Sequence, residues 1–194
     1  KNNFKVLILV PAYNSNKYIN RLLAEIRNTS DLPILIIDDG SDIPIICSNK
    51  FFDTIIIRHE NNMGKGIALM TGIKWANNKK YSHVITIDSD LQHSPEYIKQ
   101  FISIDHNSDI VIGCREFSNN MPYHRRLSNY ITSKLLSIRT GVEVKDSQSG
   151  YRRYKIDPIL NHKYIEKGFQ FESEILIKLL INGASINYIR ISTI

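Results

Sequence analysis

The feature that most restricts this chain lies close to its start, where residues 4–10 read FKVLILV and the run ends at Pro11. A strand with one wet face alternates apolar and polar residues. A nearly continuous apolar run instead marks a strand covered on both faces, as at the centre of a parallel sheet. A second buried strand follows at 34–37 (ILII), and further strands are predicted at 54–58 (TIIIR), 83–87 (HVITI) and 109–113 (DIVIG). Between these runs, helical spacing takes over. Ile19, Leu22, Leu23 and Ile26 share a face over 16–27, and Ile67, Met70, Ile73 and Lys74 over 64–77. A further helix with proline in its first turn is predicted over 95–104, and a longer basic one over 125–139. Strands alternating with helices predict an α/β fold with crossover helices.

After Gly141 the pattern is less regular. A short strand is predicted at 151–154, a helix over 171–182 with Ile175, Leu179 and Leu180 inward, and a last alternating strand at 185–191. These complete the same sheet. A length of 194 residues suits one hydrophobic core, so residues 1–194 read as a single domain without repeat or linker. The chain starts without methionine or signal-peptide pattern, and its last strand pattern runs into Ile194, so the expectation is a domain truncated at its C-terminus. An arm, amphipathic helix or membrane segment would then follow. No run approaches the roughly 18 apolar residues of a membrane span. Cys47 and Cys114 have no CxxC spacing and are expected to be inert thiols in a reducing compartment.

The formal charge is +6. Part of it clusters at Arg115, His124, Arg125, Arg126, Lys134, Arg139 and Lys145, against Glu116 and Glu143. Charge alone leaves a solvated helix face and an anionic partner both open. Nucleic acid is disfavoured, because no recognition helix or RNA-binding aromatic motif is found.

In open α/β sheets ligands bind beyond the carboxyl ends of the strands. Those positions here carry Pro11, Ala12, Tyr13 and Asn14, then Asp38, Asp39, Gly40 and Ser41, then the segment 59–66, then Asp88, Ser89 and Asp90, then Gly113, Cys114 and Arg115. Asp88 and Asp90 are two apart at a strand end, so an extended backbone turns both carboxylates to one side, suited to a hard divalent cation. Gln92 lies two further on. Such a cation keeps sites open for a diphosphate and stabilises it as a leaving group. An isolated Asp-x-Asp is equally a turn motif. Neither G-x-G-x-x-G nor G-x-x-x-x-G-K-[ST] occurs, which disfavours dinucleotide and P-loop binding.

Five blocks together are more specific. VPAYN (10–14), IDDGS (37–41), NNMGKG (61–66), DSDLQHSPE (88–96) and DSQSGYRRY (146–154) resemble the family 2 glycosyltransferases. DSDLQH and DSQSGYR most resemble the branch that includes dolichol-phosphate mannose synthase and other polyprenyl-phosphate glycosyltransferases. The blocks keep the family's order over residues 6–174.

The resemblance implies a GT-A, Rossmann-like, three-layer α/β/α fold with a mostly parallel central sheet. It implies metal-dependent, inverting transfer of a sugar from a UDP- or GDP-sugar to an acceptor, above all a polyprenyl or dolichyl phosphate. It assigns the nucleotide-sugar to Pro11, Ala12, Tyr13, Asn14, Asp38, Asp39, Gly64, Lys65, Asp88 and Ser89. The cation, Mg²⁺ or Mn²⁺, falls to Asp90 and Asp88 with Gln92 as a third ligand, and the acceptor phosphate to Arg115, Arg126 and Ser128. Asp88, Asp90 and Asp146 are the expected catalytic carboxylates, with Asp146 orienting the acceptor or acting as base. The assignments are physically reasonable, since tyrosine packs on a base, a carboxylate accepts from base or ribose, and arginines suit phosphate.

His93 is expected to make a local hydrogen bond, and Glu172 and Glu174 to sit on a helix surface, with a place in the site as their alternative. One departure is Ser15, where the family often has an acidic residue after PAYN, and this leaves base recognition open. The implied location is the cytoplasmic face of a membrane, held peripherally, with homo-oligomerisation open. Competing readings are transfer to a sugar hydroxyl, with Asp146 or a nearby carboxylate as general base; an aspartate-dependent phosphohydrolase built on Asp88 and Asp90; and a non-catalytic nucleotide-sugar module.

Overall fold

The computed structural model describes residues 4–48, 51, 53–115, 123–168 and 170–192, without the side chains of Tyr123 and Arg125. Seven strands form one sheet, β1 (Val6–Ala12), β2 (Ile34–Asp38), β3 (Ile55–Arg58), β4 (His83–Thr86), β5 (Ile110–Arg115), β6 (Arg152–Lys155) and β7 (Ile186–Ile191), in the order β3-β2-β1-β4-β6-β5-β7. All pairings are parallel except those of β6, which runs antiparallel to both β4 and β5. The helices are α1 (Asn16–Arg27), α2 (Lys65–Asn78), α3 (Ile98–Ser103), α4 (Tyr123–Thr140), α5 (Ile156–Leu160) and α6 (Phe171–Ile181).

Every residue of β1 is buried. Its alternate side chains feed two separate cores. Leu7 and Leu9 pack with Leu69 and Ile73 of α2 and with Ile175 and Leu179 of α6. Val6, Ile8 and Val10 pack with Ile19, Leu22 and Ile26 of α1 and with Phe101 of α3. The result is a sheet between two helical layers. Proline is tolerated inside β1 because its side of the strand faces β4, whose ladder with β1 ends at Leu9 and Thr86; the other side pairs Pro11 with Ile37 in register.

The 54–58 run forms β3, at the sheet edge, where Ile55 and Ile56 are 38% and 36% exposed. The predicted helix over 95–104 is a 3₁₀ turn at Pro95–Tyr97 followed by α3. Helix α5 was not expected, because Pro158 reads as a breaker, yet within the first turn proline forfeits no helical hydrogen bond. Glu116, in the basic segment's surroundings, and Ile194 lie outside the described residues, as does the side chain of Arg125.

Close packing of α2 on β1 depends on Gly72. A Cβ built there lands on the methyl groups of Leu9, which is fully buried. Gly72→Ala is therefore expected to destabilise the fold by about 1–3 kcal/mol through overpacking, despite alanine's better helix propensity. Urea denaturation at neutral pH checks this, and an unchanged midpoint would show that Leu9 yields without cost.

Candidate active site

The chain leaves β1 for β2 and β3 on one side, then returns to β4 on the other. The strand order thus reverses between β1 and β4, the place where open α/β sheets hold ligands. A cleft of about 330 Å³ opens there. From the expected nucleotide-sugar set it gathers Pro11, Ala12, Tyr13, Asp39, Gly64, Lys65, Asp88 and Ser89, together with Asp90. Asn62 of the 61–66 block joins them, as do Ala68 and Gly168, which no motif marked.

The rim on the β1 and β2 side is built by hydrogen bonds that order the loops. Asn14 takes φ 52°, receives the Asp42 N–H at 2.9 Å and donates to the Asp42 carboxylate at 3.0 Å, which ties the two loops together. Asp38 points away from the cleft. Its buried carboxylate accepts from Ser41 N, Ile45 N and Arg58 at 3.0, 3.1 and 2.5 Å. Burial pushes this carboxyl up, but these hydrogen bonds outweigh it and hold it below the usual carboxylate range. Asn14 and Asp38 therefore shape the site without lining it.

Asp39 accepts from Met63 N at 3.0 Å and Gly64 N at 2.8 Å, and pairs with His59 Nδ1 at 2.7 Å. This anchors the 59–64 loop against β2, and Gly64 at φ 98° makes the turn into α2 that a side chain would oppose. Ser15 is buried, and its hydroxyl meets that of Ser89 at 2.7 Å, so the residue at the departure from the family pattern braces the Asp88 to Asp90 segment.

Lys65 stands at the centre. Its Nζ lies 2.7 Å from Asp88 Oδ1 and 2.9 Å from Glu172 Oε2. Burial alone would lower its pKa, but the two carboxylates win and raise it above the ordinary lysine value. Glu172 is thus corrected: it is 7% exposed and belongs to the site rather than to the helix surface. It lies in the first turn of α6, remote from Lys65 in sequence, and no local spacing announces the pair. Glu174, by contrast, caps Ile165 N and Glu166 N and pairs with Lys178.

Asp88 and Asp90 share the cleft but not their surroundings. Asp88 is roofed by Gly150, where any Cβ would strike its carboxylate and come within 3.0 Å of Lys65 Nζ. Asp90 is exposed, and its Oδ1 accepts the Gln92 N–H at 3.1 Å across a turn at Leu91, whose φ of 63° is strained for a branched residue. The Gln92 side chain is exposed and does not line the cleft. His93 is buried, and its Nδ1 has no hydrogen-bond partner. Burial holds its imidazole below the ordinary value, with Asp88, Arg115, Asp90 and Asp146 all close enough to act on it. That places two clusters side by side.

The second cluster is the buried pair of Asp146 and Arg115. Asp146 accepts from Arg115 Nε at 2.8 Å, Nη2 at 2.9 Å and backbone N at 3.2 Å, and from Gln148 N and Ser149 N at 3.2 and 3.1 Å. Burial raises its pKa, but the hydrogen bonds and charge of Arg115 hold the carboxyl below the usual range. Ser128 accepts from Gln148 Nε2 at 3.2 Å, and Arg126 is half-buried in the first turns of α4. The following arginines are structural. Arg152 donates to the carbonyls of Ser147, Ser149 and Glu172, and Arg153, on the opposite face, to those of Phe101, Ile104 and Asp105.

Among the described residues no three His, Cys, Asp or Glu side chains converge as a metal cage. Of the three carboxylates on the open cleft, Asp39 is taken up by the 59–64 loop, which leaves Asp88 and the exposed Asp90 as donors. Few hard oxygens and free access suit Mg²⁺ or Mn²⁺, which complete their shells with water and phosphate oxygens.

Residues 7–178 match glycosyl transferase family 2, and the chain belongs to that family. It is a glycosyltransferase, which sets aside the phosphohydrolase reading. Similar proteins include UDP-N-acetylglucosamine–dolichyl-phosphate N-acetylglucosaminyltransferase of Methanococcus voltae, 30% identical over 97% of this chain and 85% of that one. Polyprenol monophosphomannose synthase of Mycolicibacterium smegmatis is 24% identical over 94% of this chain and 74% of its own length. Glucosyl-3-phosphoglycerate synthase of Mycobacterium tuberculosis, solved with Mn²⁺ and UDP, superposes with a TM-score of 0.73 at 16% identity, over 98% of this chain and 71% of that one. This likeness shows the shared GT-A fold.

Asp146→Asn should remove about 3 kcal/mol at pH 7, at the low end for breaking a buried pair because an amide keeps part of the hydrogen bonding. A depressed folded pKa stabilises above the unfolded value of about 4 and is lost as pH falls through the folded one. The difference between wild type and variant in urea denaturation should accordingly be full at pH 7 and shrink below about pH 4. A pH-independent difference would refute the ionised pair.

Proposed function

We propose that this chain transfers a sugar, with inversion, from a UDP- or GDP-sugar to a polyprenyl or dolichyl phosphate. The observation that carries the reading is the adjacency of two charged centres. One is the cleft of Tyr13, Lys65, Asp88, Ser89 and Asp90; the other is the Arg115 and Asp146 pair, with His93 between them. The names of the relatives supply the acceptor class, dolichyl phosphate in one and polyprenol in another.

In this reading Tyr13, 46% exposed at the cleft mouth, packs on the nucleoside. Asp90 and Asp88 hold a divalent cation, Mg²⁺ or Mn²⁺, which when bound neutralises the diphosphate and stabilises it as a leaving group. Lys65 pairs with Asp88 and fixes its carboxylate in place. Arg115, oriented by its two contacts to Asp146, presents its remaining N–H groups to the acceptor phosphate. A phosphate oxygen is ionised at neutral pH and attacks without a base.

That last point separates the readings. Transfer to a sugar hydroxyl needs a proton acceptor, and Asp146 is poorly suited, being fully buried, engaged by Arg115 and held below the usual carboxylate range. No helix among the described residues is long and apolar enough to cross a membrane. On this reading the chain meets its acceptor peripherally, at the cytoplasmic face where nucleotide-sugars are available.

Calorimetric titration with UDP, GDP and their glucose, N-acetylglucosamine and mannose conjugates, with and without Mn²⁺, tests the donor side. One nucleotide should bind in a Mn²⁺-dependent manner, and Asp90→Ala should weaken that binding by at least about tenfold. Binding indifferent to Mn²⁺ and to Asp90→Ala would remove the metal from the proposal, and binding of none would remove the nucleotide-sugar.

A further inference from the structure

Helix α4 is inside out. The side chains it turns toward the protein are mostly small and polar: Asn129 is 1% exposed and Ser133 4%, with Leu136 the one buried apolar residue among them. Ser133 donates to Ser147 Oγ at 3.1 Å and accepts the Ser147 N–H at 3.0 Å, while Ser137 accepts the Val144 N–H at 2.8 Å. The outward face is apolar. Leu127, Tyr130, Ile131, Leu135 and Ile138 are 44%, 66%, 48%, 61% and 71% exposed. At spacings of three and four they form one stripe, about 16 Å long at 1.5 Å per residue.

Beside the stripe runs a groove of about 900 Å³ between α4 and the ends of β5 and β7. Arg115, Lys134, Lys145 and Arg190 line it, against the single carboxylate of Glu143. The groove thus leads from the apolar stripe to the arginine that Asp146 orients. An apolar helical face flanked by cations is the pattern of a helix lying in the headgroup layer of an anionic bilayer. A second copy of the chain is a poorer occupant, because pairing two such faces brings like charges together.

We propose that the outer face of α4 is a membrane-docking surface, seated on anionic lipid so that the groove opens toward the bilayer and admits a lipid phosphate to Arg115. The docking stands on the stripe and its cations; the identity of the admitted lipid rests on the transferase reading. The helix lies flat, with Leu127, Ile131, Leu135 and Ile138 in the acyl boundary and Lys134 and Lys145 at the phosphates.

Sedimentation with vesicles of phosphatidylglycerol and phosphatidylcholine tests it, comparing the wild type with Ile131→Ser/Leu135→Ser. Both residues are exposed and neither lines the groove, so thermal unfolding and nucleotide binding without vesicles should be unchanged. Vesicle partition should fall at least about tenfold in the variant, and wild-type partition should weaken on phosphatidylcholine alone. Transfer to vesicle-embedded polyprenyl phosphate should fall in parallel, while transfer to a short, water-soluble prenyl phosphate stays. Equal partition of variant and wild type overturns the proposal, as does a wild type that stays off vesicles or dimerises through the stripe by light scattering. Lost partition in a chain that transfers to neither acceptor leaves the docking standing and refutes the acceptor instead.

Discussion

The ammonium of Lys65 is the point on which the site is assembled. It reaches from the start of α2 to Asp88 beyond β4 and to Glu172 at the start of α6, so one cation joins three elements distant in sequence. Two carboxylates this close would repel each other in a low-dielectric setting. The lysine between them offsets that repulsion. Gly150 completes the arrangement by leaving room for the Asp88 carboxylate against the segment that enters β6.

The neighbouring pair follows the same logic with the signs reversed in emphasis. Asp146 is wholly buried and collects N–H groups from Arg115, Gln148 and Ser149, which makes it a fixed anion that aims a guanidinium. A carboxylate so satisfied orients well and accepts protons badly. The contrast is written in hydrogen bonds: Asp90 is exposed at the cleft, while Asp146 is sequestered among Arg115, Gln148 and Ser149.

Much of this was legible in the chain. Buried strands announce themselves as apolar runs, and α1 occupies the residues its periodicity marks because four apolar side chains repeat on one face. The cleft was legible as a set of polar residues just after strands. What escaped was long-range pairing. Glu172 looks like any acidic residue in the first turn of a helix, where charge favours it anyway. Arg152 and Arg153 look like surface cations, yet both are buried and answered by backbone carbonyls that a sequence does not display. Asp38 and Asp39 are adjacent and alike, and only the fold shows that one faces Arg58 and the other the cleft loop. The basic character of α4 was apparent; its inverted polarity needed the packing beneath it.

The antiparallel strand β6 bears on the order in which the molecule is made. It separates β4 from β5, and β5 pairs only with β6 and β7. A nascent chain emerging from the ribosome can therefore complete the β3-β2-β1-β4 half-sheet early, but β5 must wait for residues 152–155 before it has a neighbour. Until then the open side of β4 is an unpaired edge, the kind of surface that chaperones cover and that aggregation exploits. Glu172 arrives later still, so Lys65 and Asp88 meet their last partner only after β6 has been made and the two halves of the sheet are joined.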